Sequence, residues 1–291
     1  MKPAPVTLVR PRGVAECLAA LDPADGSVVK VIAGGQSLMP MLALRMSTPD
    51  RLVDVGRVAE LTAVVPGERV VELGARIRHR QLVDGAAGPA PAILGMAARH
   101  IGHDAIRNRG TLGGSLAHAD PAAELPAVMV LLDAEIVCRS LAAGTRTIPA
   151  RAFFLGPYLT AMRDDELLTA VRVPRADVGT RYGFVEFSPR HGDYARAGAL
   201  CAVHTDPDGT VRRVGAVLFA VGSTPVDVSG ALAAAEGHPL LACPWEDLAT
   251  DAVASLPPPG EDGETAARRR LAAVALRRAL QQASTLDGWV R

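Results

Sequence analysis

A chain of 291 residues, 49% of them hydrophobic, has the length for two domains or one domain with subdomains, and is too apolar to be disordered. Its 31 Lys and Arg balance its 31 Asp and Glu, and no basic stripe is visible, so a nucleic-acid partner is not expected. The longest apolar run, Leu125 to Leu132, is interrupted by Pro126 and is too short to span a bilayer.

From the N-terminus, Pro11 to Leu21 places Val14, Cys17, Leu18 and Leu21 at helical spacing, ending at Asp22-Pro23. Val28 to Ala33 is β-branched and reads as a strand running into the glycine pair Gly34-Gly35. A short helical stretch with Leu38, Leu42 and Leu44 follows, and Arg51 to Val55 is a further strand. Residues 1–57 form a first β/α unit.

The second unit, 58–176, opens with a hairpin: Ala63 to Val65 and Val70 to Leu73 flank the turn Pro66-Gly67-Glu68. Arg78 to Val83 is a short helix or turn. Ala92 to Ile101 and Leu125 to Leu132 read as helices, Glu135 to Cys138 and Thr147 to Ala150 as strand elements, and Leu167 to Val173 as a strand stopped by Pro174. In the third unit, 177–291, Arg181 to Phe187, Ala197 to His204 and Val211 to Val221 predict three strands, the last two joined by the turn Asp206 to Gly209. Ala231 to Glu236 and Trp245 to Val253 read as helical, and Pro257 to Gly260 as a loop. Thr265 to Ala283 reads as a long helix with Leu271, Val274, Ala275 and Leu280 on its apolar face; its basic run Arg268 to Arg270 could be a partner contact, though such a run is more often simply a solvated face. The class is α+β throughout.

Cys17, Cys138, Cys201 and Cys243 share no metal-ligand spacing, so reduced, buried thiols are expected rather than zinc or iron–sulfur ligands. The start of the chain lacks the apolar core of a signal peptide, which points to a cytoplasmic protein.

The chemistry concentrates in two glycine-rich stretches. One is Ala33-Gly34-Gly35-Gln36-Ser37-Leu38; the other is Arg109-Gly110-Thr111-Leu112-Gly113-Gly114-Ser115-Leu116. A Gly-Gly pair has no side chain to hold a ligand away, and its successive N–H groups can form a concave anion site. Ser37, Thr111 and Ser115 can add hydroxyl donors. Two such loops suggest a ligand with two or more phosphates, and a dinucleotide fits. Neither loop has the G-x-G-x-x-G or the Gly-Lys-Ser/Thr pattern, so a Rossmann or P-loop site is disfavoured. Beyond the second loop, Glu124 can accept hydrogen bonds from sugar hydroxyls or charge the first turn of the following helix; Asp120 is the better helix-start residue. His100, His103, His118 and His191 could all line a site, with His103-Asp104 the best placed as a proton carrier.

Ala33 to Leu38, Ile106 to Pro121 and Gly192-Asp193-Tyr194-Ala195 together resemble one family closely and in the right order. It is the FAD-binding medium subunit of the molybdenum hydroxylases, which include carbon monoxide dehydrogenase and relatives of xanthine dehydrogenase. The resemblance implies the FAD-binding fold of the vanillyl-alcohol oxidase/p-cresol methylhydroxylase type in two subdomains, then a C-terminal α+β domain of a three-stranded sheet with helices. It implies that Ala33, Gly34, Gly35, Gln36, Ser37 and Leu38 wrap the pyrophosphate. Thr111, Gly113, Gly114 and Ser115 would hold its other side and the ribityl region, with His118 nearby. Glu124 would touch FAD hydroxyls, Ile101 and Leu168 would make apolar contacts, and Tyr194 would place its ring by the isoalloxazine.

One departure stands out: many relatives carry a Lys in the stretch that here reads Phe184-Val185-Glu186-Phe187. The resemblance further implies an electron-transfer role with no catalytic acid–base pair and no metal in this chain. Molybdopterin and [2Fe-2S] clusters would reside in a molybdenum large subunit and an iron–sulfur small subunit, assembled as a dimer of heterotrimers. The rival expectation is a free-standing flavin oxidase or dehydrogenase acting on a small molecule.

Overall fold

A computed structural model of the protein describes residues 3–22, 25–257 and 263–285. Its N-terminal part is a small parallel sheet. Strand β1 (Thr7–Val9) leads through helix α1 (Val14–Leu21) to β2 (Val29–Ile32), and helix α2 (Leu38–Ala43) leads to β3 (Arg51–Asp54). Both β1 and β2 pair in parallel with β3, giving the order β1-β3-β2. Parallel neighbours need crossover connections, which α1 and α2 supply. Val14, Cys17, Leu18 and Leu21 of α1 are buried, as their spacing predicts, against Val53, Val55, Val58 and Leu61. Strand β1 is short and carries no strong pattern, and the sequence did not announce it.

The middle part is an antiparallel sheet wrapped by helices. Its elements in chain order are β4 (Val64–Pro66), β5 (Val70–Gly74), α3 (His79–Val83), α4 (Ile93–Ala98), α5 (Asp104–Arg107), α6 (Leu112–His118), α7 (Glu124–Leu131), β6 (Glu135–Ser140) and β7 (Gly144–Pro149). Then come α8 (Ala150–Phe153), the hairpin of β8 (Phe154–Gly156) and β9 (Leu159–Thr160), and β10 (Leu167–Pro174). The sheet order is β4-β5-β10-β6-β7. Strand β10 is central and apolar on both faces. Successive side chains alternate faces, so Leu167 enters the core under α1 while Leu168 enters the main core. The pairing of β10 with β6 shifts register between Leu168 and Ala170, a bulge beside the cleft described below.

The C-terminal part is a meander of β11 (Thr180–Phe187), β12 (Ala197–Thr205), β13 (Val211–Phe219) and β14 (Val226–Asp227), in that order and antiparallel. Three long strands match the expectation; β14 adds a two-residue edge. Helices α9 (Trp245–Ala254) and α10 (Gly263–Ser284) cover one face. Ala197, Ala199, Cys201 and Val203 of β12 pack there, whereas Leu200 joins the middle core. On the second face lies α7, buried from Leu125 to Val130. A helix enclosed between two layers has no solvent side, and its uniformly apolar sequence follows.

The buried face of α10 is Ala272, Ala275, Leu276, Ala279, Leu280 and Ala283; Leu271 and Val274 are only half-buried. Small residues there let β11 come close, and a β-carbon on Gly183 would lie 2.6 Å from the carbonyl carbon of Ala279. The expected loop at Pro257 to Gly260 lies largely outside the described residues. All four cysteines are buried free thiols; burial pushes Cys201 up to about 12 and Cys17 up to about 11. Among the described residues, no helix is long and apolar enough to cross a membrane.

Candidate cofactor-binding cleft

A cleft of ≈ 510 Å³ opens at the carboxyl end of β2, where the first sheet meets the middle part and a loop of the C-terminal part. The carboxyl ends of parallel strands are the usual ligand side of such sheets, and the volume falls in the range of cofactor clefts, about 300–1,000 Å³. The fifteen residues expected to hold FAD all line this one cleft: Ala33 to Leu38, Ile101, Thr111, Gly113, Gly114, Ser115, His118, Glu124, Leu168 and Tyr194.

The first glycine stretch leaves β2 and turns into α2. Gly35 takes φ +74°, a conformation glycine adopts without a steric penalty. Among the described residues, the amides of Gly34, Gly35, Gln36 and Ser37 donate no hydrogen bond to the protein, while the Gln36 side chain folds back to donate to the Gly34 carbonyl at 3.0 Å. Consecutive unpaired N–H groups on a turn make an anion-binding concavity.

The second stretch is built differently from the expectation of a loop. Thr111 caps α6, its Oγ1 accepting from the Gly114 amide at 3.1 Å. The other first-turn amides are also taken: Leu112 donates to Ile77, Gly113 to Ala75 and Ser115 to Thr111. Gly113 therefore faces protein, and a β-carbon on it would stand 2.6 Å from that of Ala75. Gly113 serves close packing, Gly114 lines the cleft beside its own cap, and the free amides belong to the first stretch. The two stretches do meet. A β-carbon on Gly34 would lie 2.8 Å from the carbonyl carbon of Arg109 and 2.9 Å from the α-carbon of Gly110. Arg109 Nε also donates to the Gly34 carbonyl at 3.4 Å.

Charge near this junction is positive. Arg76 lines the cleft and donates to the Val58 carbonyl at 2.7 Å. Arg78 donates to the Arg109 carbonyl. Burial first, and then the neighbouring Arg76 and Arg109 charges, hold the Arg78 pKa below its ordinary value. An anion in the adjacent amide nest would relieve that repulsion.

His79 was not foreseen. It is buried beneath Gly110, its Nε2 2.9 Å from the Thr111 carbonyl, which makes that nitrogen the donor. Burial drives its pKa down to about 4, so the imidazole is neutral at pH 7. His79 carries no signal in a lone histidine at a helix start; only the fold brings it under the second glycine stretch.

Farther along the cleft, Glu124 begins α7 and is 7% exposed. Burial, and then the negative charges of Glu186 and Asp120, raise its pKa to about 8, so at pH 7 it is protonated and can donate as well as accept. Its place at the first turn of α7 overturns the assignment of Asp120 as the helix-start residue. Asp120 instead closes the preceding turn, accepting from the Ala122 amide at 2.8 Å and from the Tyr158 hydroxyl at 3.3 Å. Glu186, in the stretch that lacks the expected Lys, is paired with His100, Oε1 3.3 Å from Nδ1.

The far end is apolar and aromatic: Ile101, Leu168, Tyr158 and Tyr194 line it, and Tyr194 is 66% exposed. Of the four histidines considered from sequence, only His118 lines the cleft. His103 packs behind that lining, against Gly192. The cleft thus runs from an amide nest flanked by guanidiniums, past a neutral carboxyl, to an aromatic end. That sequence of chemistries fits a diphosphate, a polyol and a flat ring in turn.

The comparisons with known proteins agree with this chemistry. The family described as FAD binding domain in molybdopterin dehydrogenase matches residues 4–176, and the CO dehydrogenase flavoprotein C-terminal domain matches residues 183–283. The carbon monoxide dehydrogenase medium chain of Hydrogenophaga pseudoflava is 33% identical over 277 residues, covering 94% of this chain and 95% of that one. The 6-hydroxypseudooxynicotine dehydrogenase complex subunit alpha of Paenarthrobacter nicotinovorans is 43% identical over 202 residues, 69% of this chain and 68% of that one. Among solved structures, quinoline 2-oxidoreductase from Pseudomonas putida 86 superposes with TM-score 0.89 at 32% identity, covering 98% of both chains. Carbon monoxide dehydrogenase from H. pseudoflava, in a form lacking the Mo-pyranopterin moiety, gives TM-score 0.89 at 32% identity over 97% of this chain and 98% of that one. The chain belongs to the FAD-binding medium-subunit family of the molybdenum hydroxylases, oxidoreductase flavoproteins whose cofactor is FAD.

Proposed function

We propose that this chain is the electron-transfer flavoprotein of a cytoplasmic molybdenum hydroxylase complex, taking electrons from an iron–sulfur small subunit and passing them to an external acceptor. A molybdenum large subunit would carry the substrate chemistry, and the assembly would be a dimer of heterotrimers. The chain would divide at 1–57 and 58–176 into two FAD-binding subdomains, with 177–291 as the C-terminal flavoprotein domain. Bound FAD supplies the redox chemistry, accepting and releasing one or two electrons.

The protein's own residues then have holding and tuning roles. The Gly34 to Ser37 amides bind the diphosphate, and Arg76 with Arg78 and Arg109 offsets its charge. Thr111 fixes the start of α6, so that Gly114 and Ser115 form the opposite wall. Protonated Glu124 exchanges hydrogen bonds with ribityl hydroxyls. Ile101 and Leu168 would make apolar contacts to the ring, and Tyr194 would set its own ring beside it. No side chain is required as a general acid or base.

The observation that carries this reading is the run of unpaired amides of Gly34 to Ser37 at the mouth of β2, beside clustered arginine charge. The test is to purify the full chain alone and in co-expression with candidate iron–sulfur and molybdenum subunits. Alone it should bind one FAD and turn over no organic substrate; in the complex, substrate should bleach the flavin. Bleaching by a small organic substrate with the chain alone would establish the free-standing enzyme instead.

A further inference from the structure

One half-buried arginine organises the apolar end of the cleft. Arg107, at the end of α5, has a side chain only 12% exposed. Its Nη1 donates to the carbonyl oxygens of Arg99 at 3.2 Å, Ile101 at 3.1 Å and Gly102 at 2.6 Å. Its Nη2 donates to the Asp104 carboxylate at 2.7 Å. The turn between α4 and α5 leaves carbonyls without helical partners, and one planar guanidinium satisfies them in a fixed geometry. Ile101, at the centre of this turn, lines the cleft.

Against the same turn packs the loop that bears Tyr194. Gly192 sits there at φ +86°, and a β-carbon on it would lie 2.7 Å from His103 Cε1 and 3.0 Å from the carbonyl carbon of Gly102. An approach that leaves no room for a β-carbon seats the loop directly on the turn. Tyr194 follows two residues later.

We propose that Arg107 is a positioning residue for the flavin ring. By fixing the 99–104 turn it sets the Ile101 wall directly, and through Gly192 it sets where Tyr194 lies. This rests on the reading of the cleft as the FAD site with the ring at the Tyr194 end. An aromatic side chain held against a flavin quenches its fluorescence and shifts its long-wavelength band, so the geometry that Arg107 imposes has an optical signature separate from turnover.

The experiment compares the full chain as wild type, Arg107→Met, Arg107→Lys, Gly192→Ala, Tyr194→Leu and the Arg107→Met/Tyr194→Leu double variant. FAD content, flavin fluorescence and band position are read for each. Arg107→Met should retain FAD while its flavin fluorescence rises several-fold with a shifted band, as in Tyr194→Leu. The double variant should go no further than Tyr194→Leu alone, and Arg107→Lys should recover part of the quenching. Should Arg107→Met not fold, Gly192→Ala carries the same expectation with the arginine bonds intact. Wild-type fluorescence in both Arg107→Met and Gly192→Ala would overturn the proposal, as would full additivity in the double variant. A Tyr194→Leu variant with bound FAD and unchanged optics would overturn it too. Absence of FAD from the wild-type chain would instead overturn the cleft assignment itself.

Discussion

Gly34 and Arg109, from the two glycine-rich stretches, are in backbone contact: the carbonyl carbon of Arg109 stands 2.8 Å from where a β-carbon of Gly34 would be. The junction of the parallel sheet with the middle part is therefore sealed at a residue with no side chain. Gly34→Ala must push the stretches apart by a large fraction of an ångström, an overpacking cost of about 1–3 kcal/mol. Because the displaced segment carries the free amides, the cost should fall on cofactor retention. FAD affinity, by titration of the apoprotein, should drop by tenfold or more while the circular dichroism stays native. Undiminished affinity would show that the closeness of the two stretches does not matter to binding.

Thr111 separates capping from direct cofactor contact. Its hydroxyl is committed to the Gly114 amide at 3.1 Å, and the residue is buried. Thr111→Val keeps the shape and removes the cap, at about 0.5–2 kcal/mol, and Thr111→Ser should recover most of it. The loss should appear as a lower melting temperature in the absence of FAD. If the apoprotein melts as wild type and only the FAD-loaded protein is weakened, the hydroxyl serves the cofactor and not the helix. Gly114→Val would strike the same hydroxyl, since a β-carbon there lies 2.7 Å from Thr111 Oγ1. Collapse of FAD content in that variant should therefore come with a loosened α6.

How much of this was legible beforehand depends on the range of the interaction concerned. Helix α1 was read correctly because Val14, Cys17, Leu18 and Leu21 carry a local periodicity that burial enforces. The long strands β10 to β13 were visible for the same reason. Helix α6 was not, because two glycines are poor helix formers and only the cap at Thr111 and the packing of Gly113 on Ala75 hold them helical. The face of α10 was misjudged at Val274, since a helix rich in alanine lets small residues such as Ala272 and Ala279 take the closest positions. The two glycine stretches, their hydroxyls and Glu124 were legible from the chemistry of the residues, and Ile101, Leu168 and Tyr194 only through resemblance; His79 and the Arg107 clamp were not, because their partners are backbone carbonyls that no side-chain pattern reveals.

Two buried groups give the stability opposite dependences on pH. Glu124 keeps its proton in the folded protein up to about 8, against an ordinary value of 4.5. The folded state then binds more protons than the unfolded chain across that window, so stability from this group is complete below pH 4.5 and is lost as pH rises toward 8. His79 is the reverse: its folded value of about 4 lies under the ordinary 6.5, so its contribution is present above 6.5 and lost as pH falls toward 4. Glu124→Gln, which keeps a donor and an acceptor but cannot ionise, should flatten the decline between pH 4.5 and 8 in apoprotein denaturation while leaving FAD content near wild type. A decline as steep as before would mean that Glu124 is ionised in the folded protein at neutral pH.

Arg76 lines the cleft and its charge acts on Arg78, and its side chain is anchored through the Val58 carbonyl at 2.7 Å. A charged hydrogen bond contributes about 1.5–3 kcal/mol, so Arg76→Gln should weaken FAD binding by roughly tenfold, about 1.4 kcal/mol. The part of the affinity that depends on ionic strength should shrink with it, because one charge of the cluster around Arg78 and Arg109 has gone. Riboflavin, which has the ring and the polyol but no phosphate, provides the control: its binding should be unchanged by the substitution. An equal loss for riboflavin would place the effect of Arg76 in the shape of the cleft rather than in its charge, and the diphosphate would have to be assigned to another part of the site.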